Sequence, residues 1–81
     1  MTETKYEILE TDEEAQDEIL SQIMPSHLIQ GIAYFCLVES GNAMSPADMT
    51  EFLGVSDSWY TERFEDAVER LLDKGLIKKA D

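Results

Sequence analysis

The chain has 81 residues, of which 43% are hydrophobic, and it carries a formal net charge of −12. That length holds one domain, and that apolar share excludes wholesale disorder. The charge argues against roles by its sign, because an acidic surface repels phosphates and anionic lipid at long range and favours basic partners.

The charge is uneven. Residues 1–24 carry −7, residues 25–44 add only Glu39, and residues 45–75 carry −5. Solubility, or a source with salty cytoplasm, accounts for such a surface as readily as a partner does. A chain this short buries only roughly 60% of its unfolded surface, so a second copy or a partner would help its stability. Cys36 is the only cysteine. It excludes an intramolecular disulfide, reads as a small buried hydrophobe and suits a reducing cytoplasm. The acidic N-terminus lacks the basic start of a signal peptide. The longest apolar run, residues 32–38, is too short to span a bilayer. A cytoplasmic location is the expectation.

Residues 1–10 form an N-terminal tail or edge strand, with Tyr6 and Ile8 alternating around Glu7, and residues 11–81 form the domain proper. Thr11 caps a first helix, with Glu14 reaching back in a capping box and the early acids favouring the positive end of the helix dipole. This helix runs to about Met24, where Pro25 stops it. Its apolar stripe is Ala15, Ile19, Leu20, Ile23 and Met24.

A second helix covers residues 26–40, with Ser26 as cap and Gly41 and Asn42 as stop. Leu28, Ile29, Ile32, Ala33, Phe35, Cys36 and Leu37 wrap most of its circumference, so it is the central helix of the core. Ile19, Leu20, Ile23, Ile29 and Phe35 offer a dimer face within residues 12–37.

Ser45 caps a third helix with Pro46 at its first position and Asp48 completing a weak capping box. Met49, Phe52 and Leu53 are its apolar face. Gly54, Val55 and Ser56 make the turn into a fourth helix that reaches Lys74. There Tyr60, Phe64, Ala67, Val68, Leu71 and Leu72 recur at four- and three-residue steps, and Asp66 pairs with Arg70. Gly75 ends it, and Leu76, Ile77, Lys78 and Lys79 read as a short strand.

Each of the residues of this second half has a physical reason. Gly54 turns the chain where a side chain would be strained. Val55 plugs the angle between two helices, and Ser56 or Ser58 caps the helix that follows. The set Ser45 to Met49, Phe52 to Ser56 and Leu71 to Ile77 resembles a winged helix-turn-helix domain, over residues 26–79. The expected fold is mostly α, a winged-helix-like domain of three or four helices with a reduced wing of one or two strands. Two departures stand out. The segment before Leu71 is about one helical turn longer than that family has, so either the recognition helix is long or residues 57–60 form a loop and Thr61 caps. The chain also stops after one strand, which must find a neighbour in residues 4–9, in Ala43 and Met44, or in a second chain.

The resemblance implies DNA reading by the start of the fourth helix. The candidate DNA-contact residues are then Ser58, Thr61, Arg63, Lys78 and Lys79, used by a homodimeric, sequence-specific transcriptional regulator. The charge points the other way. Between Pro46 and Asp66 stand Asp48, Glu51, Asp57, Glu62, Glu65 and Asp66 against Arg63 alone, a balance of −5, whereas phosphate contacts by Lys and Arg supply most DNA affinity. The preferred expectation is a non-enzymatic protein-interaction or regulatory module with a basic-surfaced partner, a DNA mimic or modulator of transcription in one version.

Trp59 is ordinarily a core residue. If exposed, the Trp59 and Tyr60 pair, rimmed by Asp57, Glu62 and Glu65, makes a protein-contact anchor. His27 stands apart from other metal-ligating residues, the Glu13, Glu14, Asp17 and Glu18 cluster lacks the spacing of a calcium loop, and no triad or phosphate cradle is visible. No catalytic residue, metal or cofactor is expected.

Overall fold

The structure is a computed structural model, and it describes residues 4–55 and 57–80. Four helices and two short strands follow in the order β1 (Tyr6–Ile8), α1 (Glu13–Ile23), α2 (Leu28–Ser40), α3 (Pro46–Leu53), α4 (Ser58–Asp73) and β2 (Ile77–Lys79). The fold is mostly helical and winged-helix-like, with a two-stranded antiparallel sheet. No helix among the described residues is long and apolar enough to cross a membrane.

Local chemistry sets the helix ends. Ser45 Oγ accepts the Asp48 N–H at 3.1 Å while Asp48 Oδ2 accepts the Ser45 N–H at 3.0 Å, so the capping box is complete. The Ser45 amide holds the Asp48 carboxyl below the usual range, against a weaker opposing effect of burial; the Ser45 hydroxyl and Lys5, at 3.6 Å, lower it further. Gly54 (φ 76°) makes the left-handed turn out of α3, a conformation that costs other residues about 1–2 kcal/mol.

Three caps differ from the sequence expectation. Asp12, not Thr11, caps α1, because its carboxylate accepts the Ala15 N–H at 3.2 Å. His27, not Ser26, precedes α2 and makes no side-chain cap; the backbone N–H groups of Ser26 and His27 donate to the Ile23 carbonyl instead. Asp57 caps α4 through the Trp59 N–H at 2.9 Å, which makes Ser58 the first helical residue. Ser56 lies outside the described residues. A long α4, Ser58–Asp73, is therefore what forms, rather than a loop capped by Thr61.

Helix α2 packs against α1, α3, α4 and β1. Ala33, Tyr34, Cys36 and Leu37 on α2 meet Met49 of α3 and Phe64, Ala67, Val68 and Leu71 of α4 in one buried cluster. Burial pushes the Cys36 thiol up to about 11, as removing a charge-forming group from water does. Among the described residues, the buried Tyr34 hydroxyl finds no hydrogen-bond partner.

The wing is assembled from the two ends of the chain. Tyr6, Glu7 and Ile8 oppose Lys79, Lys78 and Ile77. Tyr6 also exchanges both backbone hydrogen bonds with Met44, at 2.9 and 3.0 Å. β1 therefore lies between Met44 and β2.

Candidate functional site

Helix α4 presents three sides besides its buried one. Ser58, Glu62, Glu65, Glu69 and Asp73 recur at steps of four and three and are all exposed, which places them on one outward stripe. The helix-turn-helix resemblance assigns the start of this helix to a DNA groove. The outward stripe holds four carboxylates and no cation. A second side, with Thr61 and Glu65, borders a cleft shared with Thr4, Tyr6, Pro46 and Ala47. There burial, and then Glu69 and Glu65, raise the Tyr6 hydroxyl above its ordinary value. A third side sets Arg63 and Asp66 beside His27 and beside Leu28 and Gln30 of α2.

Trp59 is on the surface, 46% exposed, which overturns the ordinary core reading of that residue. It makes an edge-on contact with Tyr60 at 4.9 Å and an interplanar angle of 89°, a favoured geometry for aromatic pairs. The Arg63 guanidinium carbon lies 4.8 Å from the centre of the Trp59 ring, within cation–π range. The pair thus stays exposed and ordered, with Asp57 one turn before Tyr60 and Glu62 one turn after Ser58.

The five candidate protein-contact residues are not all together. Asp57, Trp59 and Tyr60 cluster at the start of α4, Glu62 projects outward, and Glu65, on the same outward stripe, also borders the sheet-side cleft. The DNA-contact candidates are more scattered. Ser58 is exposed, Thr61 is half-buried in the cleft, and Arg63 lies on the opposite side of α4 from Thr61. Lys78 forms an ion pair with Glu7 at 3.2 Å. Lys79 opposes Tyr6 in the sheet, exposed.

The expected dimer face also divides. Ile23, 6% exposed, belongs to the core, and Ile19, Leu20 and Ile29 are all half-buried against it; Phe35 is the exposed one of the five, and Ile29 and Phe35 share one cleft. These two line an apolar groove with Met24, Ile32, Leu53, Val55, Tyr60 and Phe64, of about 490 Å³. Phe35 and Leu53 are each 38% exposed. The apolar girth of α2 pointed to a face beyond the core, through Ile29 and Phe35, but not to the part that Leu53, Val55 and Tyr60 play in it. The signal was there in a surplus: α2 carries more apolar sides than so few neighbours can bury.

Among the described residues, no group of three or more His, Cys, Asp or Glu side chains stands where it could hold a metal ion. No protein-family model matches the chain, nor does any curated protein or solved structure.

Proposed function

We propose that this chain is a non-enzymatic interaction module that binds a protein with a basic surface and thereby modulates transcription or another nucleic-acid process. The observation that carries this reading is the outward stripe of α4, with Glu62, Glu65, Glu69 and Asp73 exposed where a groove-reading helix needs neutral or basic groups. The exposed Trp59 and Tyr60 supply what carboxylates alone lack, a rigid apolar anchor of the kind that dominates protein interfaces. Charge brings the partner and fixes its orientation, and the aromatics hold it. Because the acids follow a helical surface beside a helix-turn-helix, competition with DNA for the same basic surface is one form this regulation takes.

The rival is a homodimeric DNA-binding regulator, favoured by the succession of α3, a tight turn and α4. It requires Arg63, Lys78 and Lys79 of two copies to converge on phosphates. In one chain Arg63 stacks on Trp59 and Lys78 is paired with Glu7.

Affinity capture from the native lysate after nuclease treatment tests the proposal. A partner retained by the wild type and lost by both Trp59→Ala and the triple change Glu62→Gln, Glu65→Gln, Glu69→Gln is the expected result. A partner that disappears with nuclease treatment, or one indifferent to both changes, would overturn it.

A further inference from the structure

We infer that the apolar groove between α2, the end of α3 and the start of α4 receives one amphipathic helix of a partner, apolar on the buried face and basic along its edges. This deepens the interaction reading above and rests on it.

The lining is the first argument. Ile29, Ile32, Phe35, Leu53, Val55 and Tyr60 surround the groove, and almost no polar group converges there. A small-molecule site needs a few placed polar groups to orient its ligand. A helix laid into a groove needs only apolar anchors at helical spacing.

The shape is the second. Along α2 the lining residues Ile29, Ile32 and Phe35 follow at steps of three. At 1.5 Å per residue they span about 9 Å, a little under two turns of a docked helix.

The rim decides the occupant. Glu39 lies one turn beyond Phe35 on α2 and Asp57 one turn before Tyr60, both exposed; Glu39 also borders a neighbouring cleft with Glu51 and Lys5. The nearby cation, Arg63, is held over Trp59 on the side of Leu28 and Asp66. A second copy is the wrong occupant. A two-fold contact sets the same patch against itself, so it would bring acidic rim onto acidic rim and join two chains of −12 each. A helix with Lys or Arg flanking its apolar stripe meets apolar floor with apolar face and acidic rim with basic edge.

Trp59 is the sole tryptophan and adjoins the groove residue Tyr60, so its emission reports occupancy. The probe is a tryptophan-free peptide of about 16 residues, leucine and lysine only, with leucines at i, i+3, i+4 and i+7. Its control has the same composition with the leucines spread evenly around the helix. The expected result is saturable binding of the probe, with the control weaker by about tenfold or more. Phe35→Ser and Leu53→Ser, made separately and checked by circular dichroism, each weaken the probe by about tenfold. Both positions are 38% exposed, so neither change opens a buried cavity.

Equal binding of probe and control overturns the groove inference, because charge alone then explains it. So does unchanged probe binding in the serine variants, or a sedimenting dimer that Phe35→Ser dissociates. If the probe fails while a nuclease-resistant partner is still captured through Trp59 and the α4 acids, the inference falls and the interaction reading stands. Tight duplex DNA binding would remove the reading itself.

Discussion

Asp48 couples the start of α3 to the sheet, since its carboxylate accepts the Ser45 N–H and lies 3.6 Å from Lys5. Its folded carboxyl titrates below its ordinary value, mainly through the Ser45 amide. A carboxyl whose pKa is lower when folded adds stability above the unfolded value of about 4 and loses it as pH falls through the lower folded value. Asp48→Asn therefore melts lower than wild type at pH 7, by about 0.5–1 kcal/mol, and the gap closes as pH falls below about 4. Melting temperatures of both proteins between pH 2 and 7 check this. The two phenylalanines of the groove region separate structure from contact. Phe64 is 2% exposed and Phe35 38%. Phe64→Ala should cost about 3–5 kcal/mol, and Phe35→Ala under about 1, in denaturant titrations. If the two losses were equal, Phe35 would be core and the groove would not be an open surface.

At the scale of elements, β1 is the piece on which the wing depends. The Tyr6 N–H donates to the Met44 carbonyl at 2.9 Å. Tyr6→Pro removes that donor and should cost about 1–3 kcal/mol, seen as a lower melting temperature and faster amide exchange at Met44 and Lys78. Unchanged exchange would mean that β2 does not rely on β1. The helices were legible in the sequence because caps and steps of three and four are local. Ser45, Pro46 and Asp48 announce α3 as plainly as any structure does, and Phe64, Ala67, Val68 and Leu71 announce the buried face of α4. Where two capping residues adjoin, as Thr11 with Asp12 or Asp57 with Ser58, the choice depends on the path of the preceding chain, which local pattern does not carry. The sheet was legible only as alternatives, because pairing Tyr6 with both Met44 and Lys79 is long-range. The candidate site was half legible. Trp59 and Tyr60 were found as an aromatic pair among acids. The exposure of Trp59 and the groove beside Tyr60 follow from how α2, α3 and α4 meet, and so does the displacement of Ile23 from the expected dimer face into the core.

The whole molecule carries −12 on 81 residues, and such self-repulsion opposes the compact state. Raising ionic strength to about 1 M shortens the screening length to about 3 Å. The melting temperature should therefore rise steadily with NaCl, and calorimetry from low salt to about 1 M would show it. A flat or falling curve would mean that the carboxylates are spaced widely enough not to oppose folding. The same field sets the central claim, that a fold of the groove-reading kind here serves proteins rather than DNA. The most direct measurement is a fluorescence-anisotropy titration of labelled duplex DNA with the wild type and with Arg63→Ala, Lys78→Ala, Lys79→Ala combined, repeated across salt concentrations. The account predicts no sub-micromolar binding at about 0.15 M salt and no difference between the two proteins. Sub-micromolar binding that weakens steeply with salt and vanishes in the triple variant would contradict it.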